Sequence, residues 1–265
     1  MSDELQVALA ANGILSITMN RPQVHNAFDD HQIVRFIAAL ENARDNPAIR
    51  VVVIGGTGKS FSAGGDINYM RRMGSNSYEE NLADGGQLAT LMKNLNFFPR
   101  PTIARVHGAA MGGGVGLVSC CDFAIGTPRT RLALSEVKLG MVPATISPYV
   151  VRTIGEKAAR RLFTSGQAVA GEQALALGFL SELVAEEDLD AAVSALAATL
   201  LKNAPGAVSR SKQLAMEVAN GPVTQEVIDH TVKLIADVRD SDEGREGLSA
   251  YLEKRPPGWL DQAQS

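Results

Sequence analysis

Cysteine is scarce in this 265-residue chain, and the two present, Cys120 and Cys121, are adjacent. Neighbouring cysteines make a poor mutual disulfide, so a framework of bridges is excluded and two buried thiols in a reducing compartment are expected. Aromatic residues make up 5% of the chain and the formal net charge is only −4, which argues against a basic, aromatic-rich nucleic-acid surface. No apolar run approaches the ~20 residues that span a bilayer, and Met1-Ser2-Asp3-Glu4 has none of the features of a signal peptide. A cytoplasmic protein with no membrane and no nucleic-acid partner is the expectation. No His/Cys cluster has metal-ligand spacing and no Ser-His-Asp order is present, so no metal is expected. What is abundant is hydrophobic residues, 45% of the chain, enough to bury a substantial core.

Two glycine-rich turns dominate what is there. Phe61-Ser62-Ala63-Gly64-Gly65-Asp66 and Gly108-Ala109-Ala110-Met111-Gly112-Gly113-Gly114 each follow a β-branched run. Glycine lets backbone N–H groups approach a ligand closely, so two converging turns can hold one oxyanion. Neither turn fits a dinucleotide fingerprint or a P-loop. Around them, Ile14 to Met19 alternate as one arm of an early hairpin that ends at Pro22, and His31 to Arg44 carry helical spacing behind Asp29 or Asp30 as cap. Arg50–Ile54 reads as a buried strand, a helix follows Ser77, and Thr102–Val106 is a strand leading to a helix at Gly113. Asp66 is placed to cap a helix after the first turn. Phe123–Ile125 and Arg131–Leu134 are further strands. The strand, turn and helix alternation defines an α/β architecture. From Glu156 onward the amphipathic patterns (157–165, 171–177, 187–201, 207–218, 223–238, 242–252) read as a helical tail with no strand layer of its own.

In these motifs the chain resembles the enoyl-CoA hydratase/isomerase (crotonase) superfamily. The resemblance runs from Asn20-Arg21-Pro22 and His25-Asn26-Ala27-Phe28, through both glycine turns and Cys121-Asp122, to Ser135-Glu136-Val137-Lys138-Leu139-Gly140-Met141-Val142-Pro143. It continues in Ala174–Leu180, Glu246-Gly247 and Glu253-Lys254-Arg255-Pro256. It implies a crotonase-like spiral of short-strand and helix (ββα) turns in residues 1–200, which carries the active site. Residues 201–265 would form a C-terminal helical oligomerisation region that packs homotrimers, often paired as homohexamers. It also implies that the amides of Ala63 and Gly113 hold a thioester oxygen as enolate charge builds on it, with Glu136 as the acid/base residue. Apolar neighbours such as Leu134, Val137 and Leu139 would raise its carboxyl pKa.

Gly116 departs from the two-glutamate pattern of the hydratases, leaving Glu136 to both deprotonate water and protonate the α-carbon, or to be helped by a substrate carboxylate. The run Ala144–Val151, with Met70-Arg71-Arg72-Met73 and Gly114–Asp122, is similar to bacterial 3-methylglutaconyl-CoA hydratases. A substrate of that type, from leucine or acyclic-terpene breakdown, carries a distal carboxylate that Arg71, Arg72 or Lys138 could pair; for the two arginines a solvated surface role is the plain alternative. Coenzyme A enters as part of the substrate, with no separate cofactor. Its cradle by resemblance is Asn26, Ala27, Ala63, Gly65, Asp66 and Ile67, with Gly113 at the thioester. Tyr251 and Lys254 would reach a neighbouring subunit's ligand, although Lys254 also reads simply as helix C-terminal charge. His107 and Asp122 read as structural. Two alternatives stand beside hydration: double-bond isomerisation, for which one glutamate suffices, and a noncatalytic acyl-CoA- or RNA-binding homologue.

Overall fold

In the computed structural model, residues 4–219 and 221–263 are described. The early hairpin is β1 (Leu5–Leu9) against β2 (Ile14–Met19), antiparallel with Leu5 opposite Met19. From β2 the sheet continues in parallel through β3 (Val51–Gly56), β4 (Thr102–Arg105), β6 (Phe123–Gly126) and β9 (Glu182–Leu183). Parallel strands need crossovers, and the helices that supply them cover both faces, which is why β3 reads as an unbroken apolar run. Successive side chains alternate between the two faces. Val52 and Ile54 pack with Ile33, Phe36 and Leu91 of α1 (Asp30–Arg44) and α3 (Tyr78–Asn96), whereas Val51 and Ile103 meet Leu189, Val193 and Ala197 of α7 (Leu189–Leu201).

Local signals set the helix starts. Asp29 accepts from the Gln32 amide at 2.7 Å and opens α1. Ser77 and Glu80 form a reciprocal capping box at α3. Asp66 accepts from the amides of Asn68 and Tyr69 and opens α2 (Ile67–Met73).

A second, three-stranded sheet joins β5 (Ala109–Met111), β7 (Arg131–Ala133) and β8 (Ala168–Ala170). It corrects the reading of the chain after Glu156 as strand-free, because β8 pairs with β7 and β9 pairs with β6. At three and two residues these strands are too short to show a period, and helical patterns flank both. Between them, α5 (Ser147–Ser165) breaks its helical backbone at Gly155 (φ 75°), and α6 spans Gly171–Leu177. The chain ends in α8 (Pro205–Val218), α9 (Gln225–Asp240) and α10 (Asp242–Glu253). Among the described residues no helix is long and apolar enough to cross a membrane.

Candidate active site

The two glycine turns meet because β5 adds to the first of them. Ser62 N–H donates to Ala109 O at 3.0 Å and Met111 N–H to Ser62 O at 2.9 Å, a parallel bridge between Ser62 and Ala110. Three residues beyond that bridge lie Gly65 in one turn and Gly113 in the other. Gly64 (φ 84°) packs against Met111 so closely that a Cβ there would lie 3.0 Å from the Met111 carbonyl oxygen. Both turns, together with Glu136, line a cavity of about 380 Å³.

Which amides face that cavity follows from the hydrogen bonds on the other side. Ala63 N–H is spent on the carbonyl of His25 at 2.9 Å, so the expected donor role of Ala63 is not available to a ligand. Phe28 forms a parallel bridge to Gly65, donating to Gly64 O and accepting from Asp66 N–H. In that pattern the bridged residue's own amide points away from its partner. Gly65 N–H is therefore turned from Phe28, and no described acceptor takes it. The sequence places Gly65 only in the CoA cradle; its alternation with Ala63 is decided by Phe28, 37 positions away, and no local signal announces it. Gly113 is the first residue of α4 (Gly113–Cys120), where an amide has no intrahelical acceptor. Gly112 precedes it at φ 48°, ψ −115°, a conformation only glycine adopts readily.

Glu136 follows β7 and opens a short 3₁₀ turn, Glu136–Leu139, closed by Gly140 in the left-handed region. Its Oε1 would lie 3.1 Å from a Cβ added at Gly112, so carboxylate and second turn are in contact. Its Oε2 is buried and has no hydrogen-bond partner. Burial pushes the carboxyl pKa up, only partly offset by the residue's own amide. Leu134 is buried, and Leu139, though 61% exposed, lines the same cavity as Glu136.

Gly116 sits in the interior of α4, and the place a longer side chain would take is occupied. A Cβ there would fall 2.4 Å from Ile146 Cγ2 and 3.0 Å from Met92 Sδ. The first acid of the two-glutamate pattern is thus replaced by packed apolar groups.

The remaining expected residues divide by what they already hold. Asn26, wholly buried, accepts from Arg21 N–H and donates to the carbonyls of Thr57 and Ser60, bracing the loop. Ala27 is buried and its carbonyl accepts from Arg21. Asp66 accepts from the Arg21 guanidinium at 3.1 Å. Burial works to raise the Asp66 pKa, but the amides of Tyr69 and Asn68 and the arginine outweigh it and hold the carboxyl low. These three therefore shape the loop and do not line the cavity, and neither do Ile67, Tyr251 and Lys254. Ile67 (70% exposed) and Tyr251 (82%) are open to solvent, and Lys254 ends α10 at φ 54°.

Of the cations considered for a distal carboxylate, Arg71 bonds Asn68, Arg72 bonds Asp30 and Lys138 lies on the exterior; none lines the cavity. Asp122 accepts from Thr102 and from Lys212 at 2.7 Å, a structural clasp. His107 lies between Arg105 and the Gly58 carbonyl, with burial holding its pKa down. Both cysteines are free; Cys120 is buried and Cys121 partly so, and burial pushes the Cys121 thiol up to about 12.

A backbone donor pair beside a desolvated carboxylate is the apparatus of enolate chemistry on an acyl group. Comparison with known proteins agrees. The Enoyl-CoA hydratase/isomerase family matches residues 10–262. The structure of an enoyl-CoA hydratase from Shewanella pealeana superposes with a TM-score of 0.94 at 41% identity, covering 97% of this chain and 96% of that one. The crotonyl-CoA hydratase of Syntrophomonas wolfei is 30% identical, over 91% of this chain and 92% of its own length. The 2,3-dehydroadipyl-CoA hydratase of Escherichia coli is 29% identical, over 92% and 94%. The chain belongs to the enoyl-CoA hydratase/isomerase family, and its α/β spiral with a C-terminal helical region is the crotonase fold.

Proposed function

We propose that this protein is an enoyl-CoA hydratase that adds water across the double bond of an α,β-unsaturated acyl-CoA, with Glu136 as its single acid/base residue. The observation that carries this reading is the unpartnered, buried Oε2 of Glu136 in the same cavity as the free amides of Gly65 and Gly113. The thioester oxygen accepts from both amides. Glu136 takes a proton from water as its oxygen bonds to the β-carbon, and the electron pair of the double bond moves to the thioester oxygen as an enolate. The two amides hold that charge, and the N-terminal dipole of α4 adds to them. Glu136, now protonated, returns its proton to the α-carbon and is regenerated. A carboxyl with a raised pKa suits both halves of this exchange.

The resemblance to 3-methylglutaconyl-CoA hydratases implies a tail with a second carboxylate, but among the described residues no lysine or arginine lines the cavity to pair it. An uncharged, compact acyl group fits the wall better, with Met70, Met73, Leu88 and Val142 as its apolar surroundings. Glu136 as single acid/base residue also supports a second reading, migration of a 3-enoyl double bond by abstraction at C2 and return at C4; product analysis from 3-enoyl and 2-enoyl thioesters separates the two.

Assembly as a homotrimer or homohexamer in the cytoplasm belongs to the same reading. Val223, Val232, Leu248 and Leu252, from the α8–α9 connection, α9 and α10, are 55–82% exposed in the single chain, which supports burial of this region against neighbouring copies. In such an assembly Tyr251 and Lys254 could meet a neighbour's coenzyme A. The experiment is direct: purified protein with crotonyl-CoA should lose the conjugated thioester absorbance, and Glu136→Gln should abolish that loss. Equal rates for the two proteins would remove Glu136 from the mechanism.

A further inference from the structure

The cavity that holds Glu136 contains a second polar device that the hydration steps do not use. Tyr69 on α2 and Asp84 on α3 both line it, and the Tyr69 hydroxyl donates to Asp84 Oδ1. Tyr69 is only 8% exposed. Burial, then the hydrogen bond to Asp84, raise its pKa, so the phenol keeps its proton.

With that proton committed, the pair offers a ligand nothing but acceptors: the second carboxylate oxygen and the phenol lone pairs. Among the described residues no lysine or arginine lines the cavity. Arg72 lies over the Tyr69 ring, 5.7 Å from its centroid, but its guanidinium is held by Asp30 at 2.6 Å. A substrate bringing its own carboxylate would therefore meet Asp84 and Glu136 with no counter-charge in the cavity wall.

We infer that the Tyr69–Asp84 dyad selects the acyl group, admitting thioesters with uncharged tails and excluding those with a distal carboxylate. This rests on the hydratase reading and deepens it by naming the substrate class. Two like charges about 6 Å apart at an effective dielectric of ~20 repel by an amount equal to roughly a hundredfold in binding; screening by solvent at the cavity mouth leaves about tenfold or more. Tyr69 orients the carboxylate, and Asp84 supplies the charge.

The test compares kcat/KM for crotonyl-CoA and for 3-methylglutaconyl-CoA. Wild type is expected to favour crotonyl-CoA by about tenfold or more, Asp84→Asn to shrink that preference several-fold, and Tyr69→Phe, which keeps the charge, to retain it. A measurement on the unaltered protein guards against misfolded variants: butyryl-CoA should inhibit crotonyl-CoA turnover at lower concentration than glutaryl-CoA. Equal inhibition by the two, equal turnover of both substrates by wild type, or an Asp84→Asn preference that stays at the wild-type value would overturn the inference. None of those outcomes touches the hydratase reading, which falls only if neither thioester is hydrated; hydration of 3-methylglutaconyl-CoA alone overturns the inference and leaves that reading standing.

Discussion

The space around Gly116 explains why no longer side chain stands at that position, and it makes a quantitative prediction. Adding a single methyl group at position 116 puts a carbon 2.4 Å from Ile146 Cγ2 and 3.0 Å from Met92 Sδ, where carbon–carbon contacts normally lie near ~3.5–4.0 Å. Ile146 and Met92 are themselves buried, at 2% and 0% exposure, so neither can swing into solvent to make room. Overpacking of this kind costs about 1–3 kcal/mol. Against it stands the gain of about 1 kcal/mol for alanine over glycine inside a helix. Gly116→Ala should therefore lower stability by up to about 2 kcal/mol net. In an Ile146→Ala background the 2.4 Å contact is removed while Met92 Sδ at 3.0 Å and the retained Cβ of residue 146 at 3.1 Å stay close, so the same substitution should cost less than it does in wild type. Urea unfolding at fixed protein concentration, run on the two single variants and the double variant, reads this as a change in midpoint. A Gly116→Ala chain more stable than wild type, or a double variant showing no coupling, would refute the packing argument. The same reasoning predicts that Gly116→Glu does not restore a two-carboxylate hydratase, because its carboxylate would have to enter a space already filled by apolar groups.

Other consequences are open to simpler assays. Gly65→Pro removes the amide assigned to the thioester oxygen and should lower kcat for crotonyl-CoA by ~10²–10³, whereas Ala63→Ser keeps a backbone bond that faces His25 and should stay within a few-fold of wild type. A Gly65→Pro protein that folds and turns over as fast as wild type would remove Gly65 from the donor pair. Because burial raises the Glu136 pKa in the folded state, the folded protein binds that proton more readily than the unfolded chain does. Glu136 therefore costs stability above its raised pKa, and the cost fades as pH falls below the ordinary carboxylate value. Glu136→Gln should thus melt higher than wild type at neutral pH, with the gap closing on acidification; a gap that widens would show the opposite shift. In activity, the acid limb of kcat should lie above the usual range of glutamate. Arg21, 11% exposed, joins Asp29 at 2.8 Å and Asp66 at 3.1 Å beneath the first turn. Arg21→Met leaves those carboxylates unpaired and should cost about 3–5 kcal/mol in urea unfolding.

The parts of the fold that were legible in the sequence are those whose cause is local. Asp29, Asp66 and Ser77 announce the starts of three helices through side chains that cap within three residues. The alternation of β2 and the unbroken apolar run of β3 follow from whether one or both faces are covered. What stayed hidden depends on distant partners. Strands β8 and β9 exist because β7 and β6 offer free edges, and nothing in Ala168–Ala170 or Glu182–Leu183 distinguishes them from turns. The position of Glu136 was legible from its motif, but its contact with Gly112 in the second turn depends on how the two turns meet. The motif points to the Ala63 amide, two residues from the unbonded amide of Gly65, for the same reason: the pairing of Phe28 with Gly64 and Asp66 decides which amides face the cavity.

Exchange at the α-carbon isolates the central claim, that Glu136 moves a proton there while Gly65 and Gly113 hold the enolate oxygen. Butyryl-CoA has no double bond to hydrate, so when it is incubated with the protein in heavy water and followed by mass spectrometry, only α-proton transfer is seen. The account predicts deuterium incorporation at C2 by wild type and none above background with Glu136→Gln. Absence of exchange in wild type, or exchange that survives in Glu136→Gln, would contradict it.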